Sequence, residues 1–419
     1  MTKTCTPAPR PTSARAWLAP ALLSTLFALV ACGGGGSGGG GGVANPPPPP
    51  PPPPPPAGPT IFDPSEAPAK LSDWHLVEAD GSAMKLDAAL VPYDLNTALF
   101  SDYAFKLRAI YVPKGKLVSY RTTDALDFPP GTALVKTFYF PKATGTDPNA
   151  LAVGQKNQTV QGTSIDLGTY RLVETRILVR KADGTWAGIP YVWDDDQKDA
   201  TLTPQGKYIS MELVPDAGAS QKFTYSVPNT QTCQQCHASA TNGSGSALPI
   251  GPKAGNLNKN YDYGGGVVQN QLAHLDGLHL LSGFTGLADA PAIADWRDTG
   301  QTLDARAKSY LDVNCAHCHN AKGYASQSGL LLTHDNIGSS ATDTWGVCKL
   351  PLAYVGTGLP GYKYDINPGS PETSILLYRM SHVGAGQTMP VVGRQTNHVE
   401  AISMVGDWIG QLPQPPCAP

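Results

Sequence analysis

Two short stretches far apart in the chain repeat one spacing: Cys233, Cys236 and His237 in TCQQCH, and Cys315, Cys318 and His319 in NCAHCH. On a turn of helix each trio stands at i, i+3 and i+4 and shares a face. Two thiolates so placed can add to the two vinyl groups of a single porphyrin, and the next residue offers an imidazole to its iron. From the Cys and His content, one such pattern arises by chance on the order of 0.003 times in a chain of this length. Two therefore constrain the fold: the chain must close around two covalently bound haem c groups, with His237 and His319 on the irons. The same side chains could instead donate to zinc, which needs four ligands. A reactive dithiol normally opens a helix after a strand, with an aromatic and Gly-Pro around it, and neither stretch has that setting.

Residues 1–31 read as a processing signal. Lys3, Arg10 and Arg15 form a positive start without acids, and Trp17 to Val30 an apolar core short for a bilayer span. Leu29-Val30-Ala31-Cys32 resembles the lipobox of bacterial lipoproteins, which implies cleavage before Cys32 and its acylation; Gly33 after it favours the outer membrane. An ordinary signal peptide with an idle Cys32 is the plainer alternative. Residues 32–59 form a tether, a flexible Gly run followed by the unbroken prolines Pro46 to Pro56, a stiff rod of roughly 3.1 Å per residue.

Removing three of the 30 basic residues leaves 27 against 33 acidic ones, a formal charge of −6. With no basic block, nucleic-acid binding is set aside. Of the eight cysteines, Cys5 falls in the signal, Cys32 is the acylation candidate and four serve the repeated motif. Cys348 and Cys417 remain, and in an exported chain they read as a disulfide, with two free thiols as the alternative.

From 60 to 228 the pattern is β. Residues 105–122 suggest a hairpin about Pro113-Lys114-Gly115. Residues 169–193 suggest a second about Ala182-Asp183-Gly184, with Val173, Ile177 and Val179 on one parity. Thr132 to Phe140 and Lys222 to Val227 add strands, so a sandwich or antiparallel sheet is expected. Asp194-Asp195-Asp196 could bind a cation but suits a solvated turn. Lys136 and Glu174 could face a haem or simply alternate outward. Residues 229–300 are expected to wrap the first haem, with a helix over 268–281. His274, His279 and Met211 are candidates for its sixth ligand, none at a diagnostic spacing.

Leu303, Ala307, Tyr310, Leu311 and Asn314 mark one face of a helix leading into Cys315. Asn397 and Glu400 form a capping-box pattern before a stripe of Ile402, Val405, Ile409 and Leu412. On these motifs residues 301–419 resemble the small α-helical cytochrome c domain. That resemblance implies a close helix crossing at Gly406 and Gly410 and makes Met389, in Met389-Pro390, the distal ligand opposite His319. Met380 and His382 are its rivals. The β-rich unit with GTALVKTFYFP is similar to periplasmic β-sheet cytochromes that oxidise hydroxylamine. At full length LNTALFSDYAFKLR, VKTFYFP, ETRILV, the two Cys-x-x-Cys-His motifs and the late Met-Pro resemble an uncharacterised family of bacterial exported haem proteins.

The expected fold class is thus α+β and multidomain: an N-terminal antiparallel β-rich domain (60–228), a first haem-binding segment (229–300) and an α-helical cytochrome c-like domain (301–419). The expected function is electron transfer by a di-haem c-type cytochrome of the cell envelope, facing the periplasm on a lipid anchor and serving redox partner proteins. The alternative is a haem oxidoreductase acting on peroxide or a small nitrogen compound at a five-coordinate first haem, with the second haem as relay.

Overall fold

Alternating apolar residues in the first half of the chain build strands, and the order of those strands sets the site. The computed structural model describes residues 58–143, 150–152, 162–215, 219–237, 247–334, 342–352, 361–413 and 417. The signal segment, Cys32 and the proline run lie outside them. The strands are β1 (Val77–Ala79), β2 (Ala83–Leu86), β3 (Leu90–Tyr93), β4 (Phe105–Tyr111), β5 (Val118–Ser119), β6 (Ala133–Pro141), β7 (Ala150–Ala152), β8 (Ser164–Asp166), β9 (Tyr170–Arg180), β10 (Trp186–Trp193), β11 (Ala200–Leu202), β12 (Lys207–Val214) and β13 (Gln221–Val227). Six of them form an antiparallel sheet in the order β11-β10-β9-β6-β4-β3. The β12–β13 hairpin, with β7 parallel to β12, makes a second sheet, and β1-β2-β8 a third.

One face of the main sheet, carrying Leu107, Val135, Ile177 and Ile189, is buried against Leu71, Trp74 and Met84. The opposite face is divided. At one end Ile110, Leu134 and Trp186 pack with Leu257, Leu272 and Leu281; at the other Phe138, Phe140 and Val192 pack with Met211, Leu213 and Tyr225 of the hairpin. The middle of that face carries charged residues.

Six α-helices occur among the described residues: α1 (Thr230–His237), α2 (Ala254–Leu257), α3 (Gln271–Gly277), α4 (Leu303–Asn314), α5 (Ile375–Ser381) and α6 (Val399–Gln411). Short strands β14 (Asn260–Asp262), β15 (Val268–Asn270) and β16 (Leu281–Ser282) lie between α2 and α4. Helices α4 and α6 bury Ala307, Tyr310 and Leu311 against Ala401, Val405 and Trp408, and Trp408 Nε1 donates to Asp304 Oδ1 at 3.0 Å. Cys348 and Cys417 form a disulfide, Cα to Cα 5.1 Å.

The expected division into a β domain and a separate cytochrome c-like helical domain is corrected. The described residues from Gly58 on form one compact, mostly β-rich unit, and beyond 301 only α4, α5 and α6 are α-helical among them. Gly- and Pro-rich sequence between Cys318 and Val399 favours turns over helix. A loop of the β region is tied to the end of α4 and to the segment before α6: Asp102 Oδ1 accepts from Gln395 N, Thr396 N and Thr396 Oγ1 at 2.7–2.9 Å, and Phe100 N donates to Asn314 Oδ1 at 2.8 Å.

Local expectations divide too. The 169–193 hairpin is present as β9 and β10, with Ile177 opposite Ile189, but β9 carries a bulge at Val173, the residue skipped where Glu174 and Leu172 pair with Phe138 and Tyr139, and Val173 joins the other cluster. The 105–122 hairpin does not form. Both edges of β4 are taken by β3 and β6, so β5 pairs with β16 instead. The 268–281 helix is shortened to α3 by strands on both sides. Asn397 is not the cap of α6; His398 holds that position, while Asn397 Nδ2 donates to Ser381 O. A Cβ at Gly406 would meet Leu377 of α5 at 3.4 Å and one at Gly410 nothing within 4 Å, so the two glycines do not make the close crossing of terminal helices.

Candidate functional site

The first repeated motif is a helix laid on the divided face of the main sheet. Asn229 Oδ1 accepts from Thr232 N at 2.7 Å, satisfying an orphan donor at the start of α1. Cys233 rests on Gly188 of β10, where an added Cβ would come 3.5 Å from Cys233 Cβ. His237 ends the helix half-buried, its Nδ1 2.6 Å from Leu248 O. A carbonyl can only accept, so Nδ1 carries the proton and Nε2 keeps its lone pair. Desolvation, with Lys136 nearby, pushes His237 down to about 3 and keeps the ring neutral.

The second motif follows α4 in a further turn, with Cys315 N on Leu311 O and His319 N on Cys315 O, both at 2.9 Å. His319 Nδ1 lies 2.9 Å from Ser328 Oγ, and desolvation lowers His319 to about 4. The two motifs meet. Cys318 Sγ is 3.8 Å from Gln235 O, and the Cys236 thiol is within hydrogen-bonding reach of the Cys318 thiol and the His317 ring. The contact with Cys318 raises the Cys236 thiol, with desolvation adding to it, and lowers that of Cys318. Desolvation raises Cys233 and pushes Cys315 up to about 12.

Cys233, Cys236, His237, Cys315 and Met389 line one cavity of about 170 Å³. Met389 is half-buried and held by its backbone, N to Arg379 O at 2.9 Å and O from Arg394 Nε at 3.1 Å. Met380 lines the same cavity. The rival His382 does not; its ring stacks on Tyr378 and its Nδ1 lies 2.6 Å from Tyr378 O. His319 and Cys318 are not on the wall of this cavity, although Cys315 and His317 of the same motif are. The sixth-ligand candidates lie elsewhere: Met211 in the core beneath the hairpin, and His274 stacked on Tyr263; His279, too, is off the wall.

Sequence reasoning missed most of the wall facing α1. Lys106, Arg108, Lys136 and Arg176 line the cavity from β4, β6 and β9, and Arg108, Lys136 and Arg176 are direct cross-strand neighbours. Arg108 pairs with Asp94 at 3.0 Å with both side chains buried, and Arg176 makes a two-point bond to the fully buried Glu174, which also accepts from Tyr225 OH at 2.6 Å. Lys106 Nζ is held by the carbonyls of Leu99 and Ala104, both at 3.0 Å. Desolvation and the neighbouring arginines push Lys136 down to about 7. The one available signal was the alternation of charge with apolar residues in FKLRAIY, which equally describes a wet sheet face. His398, stacked on Phe100 at 4.2 Å with Nδ1 3.0 Å from Tyr310 OH, also lines the cavity. The aspartate triplet is a turn tied by ion pairs of Asp194 to Lys70 and Asp195 to Arg171.

Among the described residues no three His, Cys, Asp or Glu side chains are grouped to hold a bare metal ion, and no helix is long and apolar enough to cross a membrane. Comparison of the chain with protein-family models, with curated proteins and with solved structures finds no match in any of the three.

Proposed function

We propose that the chain is a di-haem c-type cytochrome that moves single electrons between redox partner proteins. Cys233 and Cys236 would hold one haem with His237 on its iron, and Cys315 and Cys318 the other, with His319 and Met389 as ligands. Bound haem supplies the one-electron chemistry; the protein supplies ligands, burial and contact surface. The observation that carries the reading is the meeting of the two motifs: Cys318 Sγ lies 3.8 Å from the carbonyl of Gln235, the residue before Cys236, and three motif cysteines open on one cavity. Attachment points in contact keep two redox groups within short electron-transfer distance. The neutral His237 ring, its Nδ1 spent on Leu248 O, suits an iron ligand, because such second-shell bonds orient a ligating imidazole. Gly188 keeps the sheet bare beneath Cys233. In this reading Cys32 carries a lipid anchor to the bacterial outer membrane, and the body faces the periplasm.

Pyridine-haemochrome quantitation on the exported protein should give two haems per chain, and one after joint replacement of Cys315 and Cys318 by Ser. A colourless wild-type protein overturns the proposal. Met389→Ala should turn one haem high-spin and lower its potential; an unchanged spectrum transfers the role to Met380. One observation favours the second reading, a haem oxidoreductase acting on peroxide or a small nitrogen compound: Met211, His274 and His279 all lie off the cavity that His237 lines. A high-spin ferric signal in the wild type would support it, and two low-spin haems would exclude it.

A further inference from the structure

The charged band on the main sheet is over-supplied with positive charge. Lys106, Arg108, Lys136 and Arg176 face the cavity, and Lys259 joins Arg108 on Asp94 at 3.1 Å, yet among the described residues the carboxylates in ion pairs with these five are Asp94 and Glu174 alone. Lys136 makes no hydrogen bond or ion pair among the described residues, and Glu174, which Arg176 already holds, is the carboxylate near enough to act on it; its Nζ sits 5.1 Å from the ring centre of Phe138, which Lys106 and Arg176 also approach. Like charges directly opposite on neighbouring strands destabilise a sheet, and desolvated charges cost more unless an anion answers them. The register places three such residues in line, Arg108 opposite Lys136 and Lys136 opposite Arg176. At the spacing of adjacent strands the row spans roughly 10 Å. The two-point face of Arg176 is taken by Glu174 and Arg108 Nη1 by Asp94, so Lys136, at the centre of the row, is the one of the three with no ion pair among the described residues.

We infer that the row Arg108–Lys136–Arg176, with Lys106 beside it, is an oxyanion-binding wall of the cavity. Its ligand is a carboxylate or similar delocalised anion, and that chemistry has two sources: the propionates of a porphyrin held at Cys233 and Cys236, or a small free oxyanion admitted through the mouth. The first source rests on the di-haem reading; the second does not.

The test uses the exported, full-length protein and its Lys136→Met, Lys136→Gln and Lys136→Arg variants, with folding checked by near-ultraviolet circular dichroism. Titration with inorganic sulfate against chloride at constant ionic strength, followed by calorimetry, probes the free-anion source. Saturable sulfate binding, weakened at least tenfold in Lys136→Met or Lys136→Gln and restored in Lys136→Arg, assigns it. Resonance Raman and spectroelectrochemistry probe the other. No sulfate binding, together with altered propionate modes and a lowered potential of one haem in Lys136→Met that Lys136→Arg restores, assigns the porphyrin source. Folded variants that alter neither sulfate affinity nor the haem signals overturn the inference. A colourless wild-type protein that still binds sulfate at Lys136 would end the di-haem reading and leave the wall standing; a colourless protein that does not would end both.

Discussion

The two faces of the six-stranded sheet are made by alternate residues of the same strands and do opposite things. Ile177, Val135 and Leu107 point to a closed apolar layer whose interior polar groups pair with one another: Thr137 with Thr175 at 2.8 Å, and Trp193 Nε1 with Thr175 Oγ1 at 3.0 Å. Arg176, Lys136 and Arg108, each one residue away from these on β9, β6 and β4, point to the cavity and are under-compensated. A period of two thus interleaves residues that hold the sheet with residues that stock a site. The cavity face is thus maintained against its own electrostatic cost.

Substitutions on the two faces should separate along this line. The largest effect is expected at Glu174, fully buried and shared by Arg176 and Tyr225. Glu174→Ala removes the partner of a half-buried guanidinium and of the Tyr225 hydroxyl and should lower unfolding free energy by about 1.5–3 kcal/mol in denaturant titrations; a loss below about 1 kcal/mol would show that Arg176 finds another anion. On the closed face Ile177→Val should cost about 0.5–1.5 kcal/mol and leave every property of the cavity unchanged. A change in the spectrum or in sulfate affinity would show that the faces are coupled.

At Lys136 the effect has the opposite sign. Lys136→Met removes a charge that the folded protein accommodates poorly, so stability at neutral pH should rise. Desolvation first, then Arg176 and Arg108, take Lys136 from 10.5 to about 7. Between those values the unfolded chain binds a proton that the folded chain refuses, so stability falls as pH drops from 10.5 to 7. The gap in urea midpoint between Lys136→Met and wild type should therefore be widest at and below pH 7 and close above about 10.5. A saturating oxyanion should erase it.

Local pattern carried far along the chain but stopped at the site's walls. The β9–β10 hairpin, the strand over 133–141, the helix entering Cys315 and the Cys348–Cys417 bond are visible in spacing and turn residues, because each depends on neighbours in sequence or on simple cysteine arithmetic. The hairpin at 105–122 failed because pairing is a competition for edges, and β4 was claimed on both sides by strands from elsewhere. A separate helical domain failed for a related reason: the apolar stripe of α6 is legible, but Asp102, which accepts from Gln395 and Thr396, comes from nearly 300 residues away. The role of Lys136 is not legible in the sequence, since a strand's polar face has the same pattern whether it meets water or a cavity.

The sequence by itself determined the chemistry on offer: two sets of paired thiols with a following imidazole, and a leftover pair of cysteines, because covalent and ligand chemistry is written in residue type and local spacing. Only the tertiary structure decided that the two sets meet at Cys236 and Cys318, and that three cations stand abreast on the wall opposite. Strand order and register create those neighbours, and both are set by long-range burial and edge pairing that no local window of sequence contains.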